Sequence, residues 1–175
     1  MSELVLISGS GRGLGASIAK SFLNNGYMVA INYYKSKEKA EKLAQELGEN
    51  AHAFCADVSD MEQVKKMIKE IETKFDQSPS ILVNNAMTEY VFNGDERKFA
   101  DEISWDEISQ HLDVTLKGSL NLIQALIPSM KENSHGRIIN IGTNLVQNPV
   151  VPYHDYTIAK AALLGLTRTF AKDLG

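Results

Sequence analysis

The chain has 175 residues, enough for one domain at about 150 residues each and short of two. Hydrophobic residues make up 43% and charged residues 23%, which excludes a disordered tail or a fibre. The formal net charge of −4 speaks against a nucleic-acid binder driven by phosphate contacts, and the single cysteine, Cys55, excludes an internal disulfide and a cysteine-rich zinc site.

Short apolar runs alternate with amphipathic segments. Leu4-Val5-Leu6-Ile7 reads as a buried strand that stops at glycines. Leu14, Ile18 and Phe22 follow at helical spacing as a predicted inward face, with Gly26 as the C-cap. Met28 to Tyr33 is a second predicted strand. Ser36 opens a helix with Ala40, Leu43, Ala44 and Leu47 on one face, closed by Gly48. Ala51, Ala53 and Cys55 alternate with His52 and Phe54 in a third strand, which turns Cys55 into the core. Ser59-Asp60-Met61-Glu62 has the form of a capping box, and Val64, Met67, Ile68, Ile71 and Phe75 repeat at helical period behind it.

After Pro79, Ile81-Leu82-Val83 is a fourth strand, and residues 87–103 read as irregular and polar. Ser104-Trp105-Asp106-Glu107 is a second capping box, opening one long helix with Ile108, Leu112, Leu116, Leu120, Ile123 and Ile127 inward. Ile138-Ile139-Asn140-Ile141 is a fifth strand, and a last helix runs from about Tyr153 to Lys172 with Ala161, Leu164 and Phe170 among its apolar positions. The order βαβαβαβαβα predicts a single α/β domain over 1–175, a parallel sheet wrapped by helices on both faces. In such doubly wound sheets ligands sit outside the carboxyl ends of the strands. No run of 18 apolar residues is present, the start MSELVLISGSG lacks the pattern of a signal peptide, and four scattered histidines have no ligand spacing. The expectation is a cytoplasmic protein without a metal site, a membrane span or a nucleic-acid partner.

Ser8-Gly9-Ser10-Gly11-Arg12-Gly13-Leu14-Gly15 joins the first strand to the first helix. Glycines permit positive φ and let backbone amides approach a pyrophosphate, and the helix N-terminus adds partial positive charge. G-x-G-x-x-G fails from Gly9, whereas G-x-x-x-G-x-G fits Gly9, Gly13 and Gly15, and no G-x-x-x-x-G-K occurs. Such a turn also occurs as a structural loop; its place between strand and helix favours dinucleotide binding. The second strand ends in Asn32-Tyr33-Tyr34-Lys35-Ser36, with no carboxylate before Glu38 to read a ribose 2′-hydroxyl. Lys35 and Arg12 are placed to meet a 2′-phosphate, which favours NADP(H) over NAD, the alternative being two solvated surface cations.

Tyr156 and Lys160 stand four residues apart, neighbours on one helix face. A cation about 4 Å from a phenol, at an effective dielectric near 20, is worth about 4 kcal/mol and would lower a pKa of about 10 by up to about 3. That brings the phenol toward useful acid–base chemistry. The same spacing also arises by chance in many helices.

Taken together, the glycine turn, Asp57-Val58, Asn84-Asn85-Ala86, Gly136-Arg137-Ile138-Ile139-Asn140-Ile141, Tyr156 and Lys160 resemble the short-chain dehydrogenase/reductase family, specifically its 3-oxoacyl-[acyl-carrier-protein] reductase-like members. The resemblance covers essentially the whole chain. It implies a Rossmann-type fold with strand order 3-2-1-4-5 and an NADP-dependent oxidoreductase of fatty acid metabolism that interconverts a ketone and a secondary alcohol. Tyr156 is then the general acid, Lys160 the cation that lowers its pKa and binds the nicotinamide ribose, and Thr143 the carbonyl-orienting hydroxyl where the family has serine. Gly9, Ser10, Gly11, Arg12, Gly13, Leu14, Gly15, Tyr34, Lys35, Asp57, Val58, Asn84 and Ala86 join Tyr156 and Lys160 as expected cofactor contacts. A small carbonyl or alcohol substrate, possibly carrier-linked, is implied, with a homodimer or homotetramer through helices 105–130 and 153–172.

Three departures stand out. Met87 replaces a family glycine, and Thr115 stands where the family has an asparagine that supports a relay water; His111, a turn earlier, is a weak substitute. Members of the family continue with two more strands and the helices that cover the substrate, so the expectation is a fragment or a chain without that cover, with the fifth strand an exposed edge. A non-catalytic NADP-binding protein, or a truncated inactive one, is the alternative reading. His154 is expected as an exposed loop residue, and Glu89, Asp95, Glu96, Asp101 and Glu102 as a solvated acidic rim, poor for docking an acidic carrier.

Overall fold

In the computed structural model, which describes residues 2–175, one sheet of five parallel strands forms the middle layer. The central strand β1 (Leu4–Ile7) pairs on one side with β2 (Met28–Tyr33), which pairs with the edge strand β3 (Ala51–Cys55). On the other side it pairs with β4 (Ile81–Asn84), which pairs with the edge strand β5 (Arg137–Asn140). The order β3-β2-β1-β4-β5 is the predicted one. The helices are α1 (Gly13–Asn24), α2 (Lys37–Leu47), α3 (Met61–Phe75), α4 (Trp105–Leu112), α5 (Gly118–Glu132) and α6 (His154–Leu174).

Alternation along the strands divides the core. Val5, Ile7, Val29, Ile31, Ile81 and Val83 pack with Ala19 of α1 and Ala40 and Leu43 of α2. Leu4, Leu6, Ala30 and Leu82 pack on the opposite face with Met67 and Ile71 of α3 and Leu122 and Leu126 of α5. Burial on both faces is the reason the inner strands read as unbroken apolar runs. β5 is the exception: its pattern alternates between exposed and half-buried, and Ile139 is 42% exposed, as expected for an edge. No helix among the described residues is long and apolar enough to cross a membrane.

Local expectations are corrected in several places. Leu14 does not face inward; it is 58% exposed on the glycine turn, and Gly15 and Ala19 take the buried positions of α1. Cys55 is exposed, because the end of an edge strand lies beyond the cover of α2; its thiol points at the Tyr34 carbonyl, 3.8 Å away. α3 is capped by Asp60 rather than Ser59: Asp60 accepts from the N–H groups of Glu62 and Gln63, while Ser59 is engaged by Asp57. Ser104 and Glu107 do form the predicted capping box at α4.

The long helix is not continuous. A π-helical turn, Asp113–Lys117, separates α4 from α5. The buried positions run through His111, Thr115, Ser119, Leu122 and Leu126, so Ile108, Leu112, Leu116 and Leu120 are only half-buried. The physical reason is packing: α4 and the π turn lean on α6, whereas α5 lies against α3 and β4. In α6 the buried positions are Ala159, Lys160 and Leu163; Ala161 is exposed and Leu164 half-buried. His154 is not in a loop but is the first, half-buried residue of α6.

Candidate active site

All five strands end at the same rim, and the topology reverses between β1 and β4. There the β1–α1 turn meets the end of β4. Gly9 and Gly13 hold φ of +60° and +57°, a region that favours glycine. A methyl on Gly9 would lie 2.9 Å from Ala86 Cα, and one on Gly15 would lie 2.7 Å from Asn85 Nδ2 and from Ser10 Cα. Ser8 Oγ accepts from the N–H groups of Asn85 and Ala86, both at 3.0 Å, and Asn85 Nδ2 donates to the carbonyls of Ser8 and Gly9. The two turns are thus locked together.

A residue the sequence reading passed over completes this lock. Asn32, buried in the middle of an apolar strand, accepts from Gly9 N–H through Oδ1 at 3.1 Å. Its Nδ2 donates to the Ala56 carbonyl at 3.1 Å. The signal was present: a lone amide inside a two-sided buried strand needs partners.

α1 has no side-chain cap and no acidic residue in its first turn, so its leading N–H groups stay free of protein carboxylates. Arg12 lies 3.8 Å from Glu89, with the two side chains 58% and 81% exposed. Lys35 is exposed at the end of β2, its Nζ 5.9 Å from the Tyr34 ring centre. Asp57 Oδ1 accepts from Ser59 N–H and Oγ, and Val58 is buried against Gly118. Asn84 donates to Asn140 Oδ1 at 2.8 Å, but its own Oδ1 is buried without a partner among the described residues.

At the end of β5, Lys160 is 3% exposed and its ammonium donates to the Ile141 carbonyl at 2.6 Å. Burial pushes its pKa down. Lys160 Nζ is 5.9 Å from the centre of the Tyr156 ring. Thr143 caps a short 3₁₀ turn, Asn144–Val146, accepting from Leu145 N–H at 3.3 Å, and that turn packs on α6. Thr115 is buried on the π turn, which also packs on α6. Tyr156 and Lys160 lie on α6, and the two turns that carry Thr143 and Thr115 both pack against that helix. Tyr34, Lys35, Asp57 and Val58 gather at the other end of the rim, with β1 and β4 between.

A second set of residues surrounds Tyr156, among them His111, which the sequence reading names only as a weak substitute in the relay. Tyr90 stacks on Tyr156 with ring centres 5.8 Å apart and planes at 22°. Phe92 meets Tyr156 edge-on at 5.1 Å. Asp155 accepts from Tyr90 Oη at 3.2 Å and from Tyr156 N–H at 2.8 Å, and it pairs with His111 Nε2 at 3.3 Å.

This architecture defines a doubly wound α/β domain of the dinucleotide-binding class, with a Tyr–Lys pair beside the switch point. The short chain dehydrogenase family model matches residues 3–175, and the chain belongs to that family of oxidoreductases. It is 37% identical to a 3-oxoacyl-[acyl-carrier-protein] reductase of Staphylococcus aureus strain Mu50, over 99% of this chain and 69% of the relative. A 3-ketoacyl-(acyl-carrier-protein) reductase from Brucella melitensis, complexed with NADH, superposes with a TM-score of 0.89 at 28% identity, over 98% of this chain and 70% of that one. A gluconate 5-dehydrogenase from Burkholderia cenocepacia, in complex with NADP and tartrate, has a TM-score of 0.86 at 30% identity, over 99% of this chain and 66% of that one. The chain thus spans about two thirds of the length of these proteins.

The residues present fit a nicotinamide dinucleotide. The positive-φ glycines and the uncapped N-terminus of α1 lie where the end of β1 meets the end of β4.

Proposed function

We propose that the protein is an NADP(H)-dependent ketoreductase acting on a 3-oxoacyl thioester or a similar small carbonyl compound. The observation that carries this reading is the Lys160 ammonium, buried beside Tyr156 and held by the Ile141 carbonyl at the end of β5. A nicotinamide dinucleotide held by the glycine turn and Lys160 would supply the hydride to the carbonyl carbon. Thr143 keeps its hydroxyl hydrogen to donate to the carbonyl oxygen, since its oxygen is the acceptor in the 3₁₀ cap. Tyr156 gives its phenol proton to that oxygen as the C=O double bond becomes C–OH, and the phenolate regains a proton from solvent. The Lys160 cation lowers the cost of the phenolate, and the low dielectric of its site strengthens that effect.

The preference for NADP(H) rests on the end of β2, where no carboxylate precedes Lys35, and on Arg12, whose exposed contact with Glu89 is weak enough to yield to a 2′-phosphate. The half-buried stripe of Leu112, Leu116 and Leu120 supports pairing of two copies through the helices that carry it. Thr115 and Met87 favour a second reading, a protein that binds NADP without turnover.

The deciding experiment titrates NADPH and NADH by fluorescence and then measures acetoacetyl-CoA reduction by the wild type and Tyr156→Phe. Tighter NADPH binding, with turnover lost in Tyr156→Phe, is the expected result. Binding without turnover selects the second reading, and binding of neither nucleotide overturns both.

A further inference from the structure

Tyr90 belongs to the irregular segment before α4, yet three contacts fix it over α6. Its ring stacks on Tyr156 at 5.8 Å, its hydroxyl donates to Asp155 Oδ1 at 3.2 Å, and its ring edge meets His111 at 5.0 Å and 85°. The acceptor is itself fixed. Asp155 sits in the first turn of α6, where the helix dipole favours a carboxylate, and the same Oδ1 accepts from Tyr156 N–H. Its Oδ2 faces His111 Nε2 at 3.3 Å, with side-chain exposures of 13% and 7%. Thr88 Oγ1 lies 2.9 Å from each ring nitrogen of His111, Nδ1 and Nε2. His111 thus touches the Thr88 hydroxyl and the Asp155 carboxylate together.

The polar contacts therefore run from Thr88 through His111 to Asp155, and Thr88 and Tyr90 are two residues apart on one segment. Both ends of that short piece are tied to the turn that carries Tyr156. Tyr90 also lines a cleft of about 270 Å³ together with Tyr153 and Asp155; Tyr156 itself is not part of that cleft. Phe92 packs on Tyr90, Tyr153 and Tyr156, which completes an aromatic wall. Of these residues, Tyr90 and Phe92 meet the ring of Tyr156, and Asp155 accepts from its backbone N–H.

We propose that Thr88, His111 and Asp155 form a clasp that holds Tyr90 on Tyr156 as the wall of the substrate mouth, making Tyr90 a positioning residue for carbonyl substrates with an apolar flank. This rests on the reading of Tyr156 as proton donor. A wall touches substrate alike before and during reaction, so its loss weakens binding rather than the chemical step.

The test uses the full chain with NADP⁺ bound and acetoacetyl-CoA as the probe. Its Kd is measured by calorimetry in Tyr156→Phe, with and without Tyr90→Phe added, and KM and kcat are measured in the otherwise wild-type chain. Tyr90→Phe keeps the ring and removes the clasp hydroxyl. We expect Kd and KM to rise about tenfold with kcat within about twofold, the size of one lost hydrogen bond to a carboxylate. Asp155→Asn keeps an acceptor oxygen for both donors and should stay within about threefold of the wild type, whereas Asp155→Ala should match Tyr90→Phe. Unchanged Kd and KM in Tyr90→Phe overturn the clasp, as does a loss confined to kcat. If Tyr156→Phe still turns over substrate, the proton-donor reading falls by itself, while the Kd comparison continues to decide the clasp.

Discussion

Asn32 holds the backbone of Gly9. Its Oδ1 accepts the Gly9 N–H at 3.1 Å while its Nδ2 donates across to Ala56 of the neighbouring connection. One buried amide thereby fixes the glycine turn relative to the ends of both β2 and β3. Replacing it with leucine, of similar volume, leaves a buried N–H and a buried carbonyl unpaired, at about 1–3 kcal/mol each. Asn32→Leu should lower the unfolding free energy by about 3 kcal/mol in urea titration and weaken NADPH binding, because the turn loses its anchor. Unchanged NADPH affinity in a folded Asn32→Leu chain would show that the turn is set by Ser8 and Asn85 alone.

Gly15 and Gly13 should respond differently to alanine. A Cβ on Gly15 meets Asn85 Nδ2, Ser10 Cα and Gly9 O within 2.8 Å, two of them on backbone that cannot move aside cheaply. A Cβ on Gly13 meets nothing within 4 Å, but φ there is +57°. Gly15→Ala should cost about 2–3 kcal/mol through overpacking, and Gly13→Ala about 1–2 kcal/mol through left-handed strain. Thermal melts of the two variants give the ranking directly, and equal losses would contradict it.

The alternation of strands and helices and the Tyr156–Lys160 pair were legible because local periodicity and spacing encode them, and the strand order followed from the family resemblance. What escaped was set by contacts between distant parts of the chain. His111 joins Thr88 across 23 residues and Tyr90 joins Asp155 across 65, and no window of sequence holds both partners. The π turn escaped for the same reason: the stripe Ile108, Leu112, Leu116 and Leu120 is regular in sequence, and only packing on α6 shows that another stripe faces inward. Cys55 followed strand alternation faithfully, but the end of an edge strand has no helix above it.

Lys160 separates function from stability. The residue is 3% exposed, burial disfavours its charged form, and its one hydrogen bond among the described residues is to Ile141 O. Replacing a buried charge with an apolar side chain of similar length is often neutral or stabilising. Lys160→Met should keep the melting temperature within about 3 °C of the wild type or raise it, since about 1 kcal/mol moves a domain of this size by only a few degrees. Ketoreductase turnover should be lost. A large drop in melting temperature would mean that the cation holds the end of β5 in place, rather than serving chemistry.

His111 gives the fold a pH dependence of predictable sign. Burial pulls its pKa below 6.5 and the nearby Lys160 adds to this, while Asp155 opposes both. Tyr90 and Thr88 also contact the imidazole. Between its folded and unfolded pKa values the unfolded chain binds the proton and the folded chain does not, so stability falls as pH drops below about 6.5. His52, also depressed by burial, contributes in the same direction, so the test must be a difference. Urea unfolding at several pH values from about 7 to 5 should give a shallower loss of stability in His111→Gln than in the wild type, because glutamine cannot take up the proton. Parallel curves would place the proton uptake on His52, and a steeper loss in His111→Gln would mean that the imidazole is protonated in the folded clasp.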